Sequence, residues 1–349
     1  MEKEELEKKL LTCALCPTIC RPVCPAEESL GYETAAPSGM GRTGYLLLRG
    51  LIEWSEENVA PMYYCVGCER CNIMCPFENF VLADYIREFR KYAVERNVLP
   101  AEVNATLQNI KEKGNPYGIS TDAPKIKGKG KILYFPGCTA QLKQPEIIDA
   151  TLKLLSNLGI EYAVMENACC GRPALNIGDI ETFQKIATQT AAMIKQYNPD
   201  IIITGCPTCA ETISKYYKKY NLGEFNVMHI TVFLSSQNIE FQKKLNIRAT
   251  FHDPCSLCRR MGHCQEPRKL LEKAGVQIIE PLHSGERSTC CGNGGWALSS
   301  SKISELRRKE LEETNADLII TACPNCKRNL SGGKLEVKDI IEIISDSMR

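Results

Sequence analysis

Cysteine is the residue whose number and spacing point to chemistry in this chain, with 20 among 349 residues. Near the start, Cys13, Cys16, Cys20, Cys24 and Pro25 read C-x2-C-x3-C-x3-C-P. Cys65, Cys68, Cys71, Cys75 and Pro76 read C-x2-C-x2-C-x3-C-P. Spacing of this kind wraps three thiolates round one corner of an iron–sulfur cubane and sends the fourth to a neighbouring cluster. The expected ligand sets are therefore exchanged between the runs. Cys13, Cys16, Cys20 and Cys75 form one [4Fe–4S] set, and Cys65, Cys68, Cys71 and Cys24 form the other. A zinc site of four cysteines needs two C-x2-C pairs per ion, and neither run is built that way.

Ten further cysteines fall into two sets of five. Cys138, Cys169, Cys170, Cys206 and Cys209 make the first, and Cys255, Cys290, Cys291, Cys323 and Cys326 the second. Each set is a single cysteine, a Cys-Cys-Gly triplet and a C-x2-C pair. A cubane or a structural zinc takes only four thiolates. A fifth sulfur bridging two irons suits a distorted, non-cubane [4Fe–4S] cluster with a reactive edge, and zinc in one such site is the second choice. Neighbouring Cα atoms lie about 3.8 Å apart and normally aim their side chains differently. Bringing both cysteines of a triplet to one centre demands an irregular backbone, which the following glycine permits.

The elements that position these residues repeat. Asn198–Cys209 aligns with Asn315–Cys326, and 8 of the 12 positions are identical. Upstream, Cys169-Cys170-Gly171 matches Cys290-Cys291-Gly292, and the segment ending in Cys138 matches the one ending in Cys255. Repeats in the same order indicate an internal duplication. Short β-branched runs at Ile132–Phe135, Ile201–Thr204 and Leu318–Thr321 suit strands of a buried parallel sheet. Glu146–Leu158 has a helical stripe closed by Gly159. Strands alternating with helices predict right-handed α/β units. In such sheets ligands gather beyond the carboxyl ends of the strands, where every cysteine group falls.

The first hundred residues read as a helical module holding both cubanes. Helical periodicity is expected through Gly44–Ser55, and Val81, Leu82, Tyr85, Ile86, Phe89 and Tyr92 form one stripe, read as core. A helix and a breaker-rich connection follow, whose lysines from Lys125 to Lys131 are read as a solvated linker. The predicted architecture is α+β and multidomain. A two-cluster ferredoxin-like helical domain spans 1–98, a helix and linker 99–130, and two duplicated α/β Cys-Cys-Gly domains 131–241 and 242–349, related by a pseudo-twofold. Their cysteine edges are expected to face one cleft.

Composition narrows the function. Lys plus Arg total 43 and Asp plus Glu 42, so no global field favours nucleic acid. No apolar run reaches the length of a membrane span. Met1–Leu10 is charged throughout and unlike a secretory signal. A cytoplasmic location is expected, peripheral to a membrane only through a partner.

The order of Cys, Cys-Cys-Gly and C-x2-C, given twice behind the two ferredoxin-like runs, resembles the D subunit of heterodisulfide reductase. It equally resembles a fusion of that enzyme's C and B subunits. The resemblance covers nearly the whole chain. It implies two cubane clusters, a non-cubane cluster on each five-cysteine set, and reductive cleavage of a disulfide such as coenzyme M–S–S–coenzyme B. Related iron–sulfur subunits serve glycolate, lactate and glycerol-3-phosphate dehydrogenases, so the substrate does not follow from the fold.

Two intact Cys-Cys-Gly sets favour an oxidoreductase that cleaves a disulfide over an electron-transfer subunit of a flavin dehydrogenase complex. Cys169, Cys170, Cys290 and Cys291 are the candidate reactive positions. His252, three residues before Cys255, is the candidate proton donor to a leaving thiolate, against the alternative of a hydrogen-bonded structural histidine. No glycine-rich flavin or nicotinamide fingerprint precedes a helix. Electrons are therefore expected from a separate redox subunit: a flavoprotein, a hydrogenase or dehydrogenase, or a membrane cytochrome b. A small disulfide or thiol is the expected substrate. Arg259, Arg260, Lys327 and Arg328 are read as solvated helix charges, with attraction of an anionic substrate as the alternative. Trp296 reads equally as a cover for the second cluster or as core. Cys258 and Cys264 have no counterparts in the first half and are expected to be neither ligands nor disulfide-bonded in a reducing compartment.

Overall fold

The computed structural model describes residues 1–237, 239, 241–294 and 298–348. Two compact units divide the chain. One comprises Met1–Gly118, Pro173–Phe183 and Thr289–Arg307, and the other Ile119–Arg172, Gln184–Ser288 and Arg308–Arg349.

The first unit is helical. Lys3–Leu15, Pro37–Leu48, Leu82–Glu95 and Ala101–Lys113 are its longer helices within the N-terminal segment. Leu6, Leu10, Leu47 and Phe89 are fully buried, as an amphipathic stripe requires. A Cβ on Gly41 would meet the Leu10 carbonyl oxygen at 2.9 Å, so glycine lets the first two of these helices approach closely. The Leu82–Glu95 helix buries Leu82, Tyr85, Ile86 and Phe89 from the expected stripe, and Trp54 stacks on Phe89 at 5.3 Å. The helical expectation for Gly44–Ser55 holds only to Leu48. Gly50, at φ +68°, turns the chain there.

The second unit holds two sheets. β1 (Lys125–Gly128), β2 (Ile132–Tyr134), β3 (Tyr162–Glu166), β4 (Ile201–Thr204) and β5 (Val227–His229) lie in the order β1-β3-β2-β4-β5. β6 (Ile247–His252), β7 (Val276–Ile278), β8 (Leu318–Thr321) and β9 (Glu336–Asp339) lie in the order β7-β6-β8-β9. The parallel order β3-β2-β4-β5 thus recurs as β7-β6-β8-β9. β4 and β8 are central and apolar, with Ile202, Ile203, Ile319 and Ile320 buried. β-branched side chains fit a strand covered on both faces.

β1 departs from expectation. The lysine-rich stretch read as a linker pairs antiparallel to β3, with Lys125 opposite Glu166 and Gly128 opposite Ala163. Backbone pairing fixes it, and Lys127 adds an ion pair to Glu166 at 2.9 Å. Helices cover the sheets with one shared core. Leu154 and Leu155 of the Pro145–Asn157 helix join Ile203, Phe251, Ile320 and Ile344 in a single buried cluster.

Candidate metal centres

In the first unit the thiols of the two cysteine runs act on one another. Burial pushes the Cys13 thiol up to about 12, and the sulfurs of Cys20, Cys16 and Cys75 add repulsion in that order. Burial also raises Cys71 well above the ordinary range, with repulsion from Cys24, Cys68, Cys65 and Cys20 adding to it in that order. A cavity is lined by Cys24, Cys65, Cys68 and Cys71 together with Met40 and Leu82. Four convergent thiols in a largely apolar cavity, which Glu69 also lines, are the donor chemistry an iron–sulfur cluster requires. Holding them as thiolates would cost too much in such a place without a metal.

Arg90, which no motif singles out, fastens the Cys65 loop. It is buried on the Leu82–Glu95 helix and donates to the Met62 carbonyl from Nη2 at 2.7 Å and to the Cys65 carbonyl at 2.8 Å. Its guanidinium also lies 4.8 Å from the Tyr63 ring centroid. An arginine beside this apolar stripe carries no sequence signal of burial, because its partners are carbonyls distant along the chain.

In the second unit all cysteines stand beyond the carboxyl ends of parallel strands. Cys138 follows β2, Cys169 and Cys170 follow β3, Cys206 follows β4, Cys255 follows β6 and Cys323 follows β8. Both C-x2-C pairs occupy the first turn of a helix. Cys206 caps Pro207–Glu211 and Cys323 caps Pro324–Leu330, each with proline at the first helical position. One helical turn then aims the two thiols of each pair to one side.

The first five thiols form a continuous network. Cys169 donates to Cys138 at 3.8 Å. Hydrogen-bonding interactions with Cys169 and Cys209 hold Cys170 well below the ordinary thiol range. Interactions with Cys209 and Cys323 lower Cys206 likewise, and Asn325 Nδ2, inside the second C-x2-C pair, donates to Cys206 Sγ at 3.8 Å. Hydrogen bonding to Cys138 and to Cys170 raises Cys169 and Cys209 respectively. The backbone explains the convergence of adjacent cysteines. Gly171 takes φ +81°, and its N–H donates to Cys169 Sγ at 3.4 Å. Gly137, at φ +78°, leaves no room for a Cβ, which would lie 2.9 Å from Cys209 Sγ.

Cys290 and Cys291 belong to the first unit, and Cys255, Cys323 and Cys326 to the second. The triplet geometry nevertheless repeats. Gly292 takes φ +85°, and its N–H donates to Cys290 Sγ at 3.3 Å. Equivalent positions of the two halves also touch reciprocally in the second unit. Thr139, next to Cys138, donates to Asn325 Oδ1 at 2.7 Å, and Ser256, next to Cys255, lies 3.1 Å from Thr208 Oγ1. Asn325 and Thr208 are the matching residues inside the two C-x2-C pairs.

His252 is buried at the end of β6, and a ring nitrogen lies within 4.8 Å of the Cys326 sulfur. His229 Nε2 bonds to the Gly205 carbonyl at 3.0 Å, His263 to Glu266 and His283 to Glu310. Trp296 lies outside the described residues.

Three expectations are corrected here. Cys258 and Cys264 are joined in a disulfide, their Cα atoms 4.3 Å apart. The chain folds back at Gly262, φ +80°, where His263 N donates to the Leu257 carbonyl, and this return brings the two sulfurs together. Arg260 and Lys327 are not solvated. Arg260 pairs with Glu211 at 2.9 Å and Lys327 with Glu146 at 2.5 Å, in each case a carboxylate of the other half. Lys327 also pairs with Glu342 of its own half at 2.7 Å. Arg259 donates to the carbonyls of Glu286 and Ser288, which satisfies it without a substrate.

Comparison with known proteins agrees with the two kinds of site. The 4Fe-4S dicluster domain family matches residues 9–79. The cysteine-rich domain family CCG matches residues 132–214 and again 249–331. The chain is thus an iron–sulfur protein with one dicluster domain and two cysteine-rich domains. It is 34% identical over 327 residues to the D subunit of the dihydromethanophenazine:CoB–CoM heterodisulfide reductase of Methanosarcina acetivorans, covering 84% of this chain and 79% of that one. It belongs to the family of heterodisulfide reductase D subunits. It is also 29% identical over 304 residues to the B subunit of the fumarate reductase (CoM/CoB) of Methanothermobacter marburgensis, covering 81% of this chain but 61% of that relative's length. A hypothetical protein from Helicobacter pylori shares the fold, with a TM-score of 0.64 and 11% identity over 99% of this chain and 72% of that one. Among the described residues no helix is long and apolar enough to cross a membrane.

Proposed function

We propose that this protein takes electrons from a separate redox subunit at two N-terminal cubane clusters and uses them to cleave a disulfide at the Cys-Cys-Gly sets. Cys13, Cys16, Cys20 and Cys75 would hold one cubane, and Cys65, Cys68, Cys71 and Cys24 the other. Cys138, Cys169, Cys170, Cys206 and Cys209 would hold one non-cubane cluster, and Cys255, Cys290, Cys291, Cys323 and Cys326 the second. When bound, these clusters supply electrons singly and iron sites with affinity for sulfur. The four modules at 1–98, 99–130, 131–241 and 242–349 are the functional division this reading uses.

The observation that carries the proposal is the pair of reciprocal contacts Thr139–Asn325 and Ser256–Thr208, with Asn325 also donating to the Cys206 sulfur. Reciprocal contacts between equivalent residues are what a pseudo-twofold would produce. Cleavage of one S–S bond consumes two electrons and two protons, so sulfur sites from both halves at one place suit that demand. In this reading His252, with a ring nitrogen within 4.8 Å of the Cys326 sulfur, would hold a proton there. The heterodisulfide of coenzyme M and coenzyme B, or a related small disulfide, is the substrate class this reading takes from the family.

The similarity to a fumarate reductase subunit favours a second reading, in which the chain only conducts electrons for another catalytic subunit. Anaerobically purified protein separates them. We expect about 16 iron per chain for four complete clusters, and disulfide reduction with an artificial electron donor. Half that iron with stoichiometric zinc would remove the non-cubane assignment. Full iron without disulfide reduction would favour the conducting subunit.

A further inference from the structure

A charged network in the second unit runs from the first Cys-Cys-Gly triplet to the second cysteine set. Arg172 directly follows Gly171, and its backbone N–H bonds the Cys170 sulfur. Its guanidinium pairs with Glu211 at 3.3 Å and lies 4.3 Å from the Tyr216 ring centroid. Glu211 stands two residues after Cys209 and accepts from Arg260 Nε at 3.0 Å and Nη2 at 2.9 Å. Arg260 then reaches Cys255 Sγ with Nη1 at 3.9 Å and bonds Ser256 Oγ with Nη2. The three side chains are only 3%, 4% and 8% exposed.

Three charges at this depth are expensive unless they serve one another or a further group. A merely structural seam would be built as well from apolar side chains. The two halves are not charged alike, although Lys143 stands where the second half has Arg260. Gly292 is followed by Asn293 where Gly171 is followed by Arg172, and the position matching Glu211 is Arg328. The two cysteine sets therefore sit in different fields although their backbones match.

We propose that the Arg172–Glu211–Arg260 network sets the reduction potential of the metal centre that takes Cys255 as a ligand. A guanidinium beside a ligand thiolate stabilises the more negative, reduced state and raises the potential. Glu211 opposes this by neutralising part of the arginine charge. Arg260 is a tuning residue and not a catalytic one, since it touches a ligand sulfur rather than a reacting atom. This inference rests on the reading of Cys255 and Cys326 as cluster ligands.

The test is an anaerobic redox titration of the whole protein followed by electron paramagnetic resonance. The relevant signal is the one that Cys326→Ser removes. Arg260→Gln is expected to move its midpoint to more negative potential, and Glu211→Gln to more positive potential. Opposite signs separate charge from structure, because a loosened site would not move in two directions. Midpoints that stay put, or shift the same way in both variants, would overturn the inference. Should Arg260→Gln fail to hold iron, Glu211→Gln decides alone: a positive shift supports the network's role, and no shift or a negative one overturns it. Loss of iron in both variants would assign the network to structure and overturn it too. A parent protein with no signal sensitive to Cys326→Ser would instead overturn the cluster reading itself.

Discussion

Gly171 and Gly292 close the two Cys-Cys-Gly turns in the left-handed region, and each donates its N–H to the sulfur two residues earlier. A side chain at Gly292 would collide with the Ser300 carbonyl oxygen, so the triplet's third residue is fixed by space as well as by φ. Individual titrations follow the same logic of place. Burial raises the Asp339 carboxyl from 3.8 to about 7, with the Ile341 N–H opposing and Glu342 adding to the shift. The folded state therefore binds this proton more tightly than the unfolded chain does. The stability it contributes is fully present below the unfolded value and is lost as pH rises through about 7. Asp339→Asn keeps an acceptor for the Ile341 N–H at this N-cap and removes the charge. The variant should gain on the parent between pH 5 and pH 8, by up to roughly 2–3 kcal/mol. Parallel thermal midpoints across that range would contradict the assignment. The cysteine positions were legible in the sequence because metal ligation constrains spacing along the chain. Arg90, Arg172 and Arg260 were not, because a buried arginine is defined by partners far away in sequence: Cys65 and Met62 for the first, Glu211 for the other two.

β4 and β8 fall at Ile201–Thr204 and Leu318–Thr321, the bounds expected from their β-branched runs. The helix expected at Glu146–Leu158 runs Pro145–Asn157 and stops before Gly159 at φ +65°. Such elements are legible because burial on every side demands a continuous apolar run, and a left-handed stop demands glycine. β1 escaped because Lys-Ile-Lys-Gly has no such run. Only its backbone pairing with the edge of β3 makes it a strand. The helices that begin at Pro207 and Pro324 carry the seam between the halves, through Thr208 and Asn325. Loss of one buried hydrogen bond costs about 0.5–1.5 kcal/mol. Thr208→Val should fall in that range. Asn325→Ala should cost more, because Asn325 Nδ2 also donates to Cys206 Sγ at 3.8 Å. Thermal midpoints of the iron-loaded variants check the order, and an Asn325→Ala protein as stable as Thr208→Val would contradict it.

At the scale of the whole molecule, the account joins a one-electron entry module to a pair of cysteine-rich domains that share the work on one sulfur–sulfur bond. Two of the three domain matches describe the same cysteine-rich family, and the parallel strand order recurs with them. Repetition alone is compatible with one working site and one inherited copy. The proposal is stronger: both sets take part in every turnover. Cys170→Ala and Cys291→Ala test it most directly, each compared with the parent in disulfide reduction by an artificial donor, with reduction of the N-terminal clusters verified in every preparation. The account predicts that either substitution abolishes turnover while those clusters still reduce. Near-parent turnover in Cys170→Ala would contradict it and leave the chemistry to the second cysteine set alone.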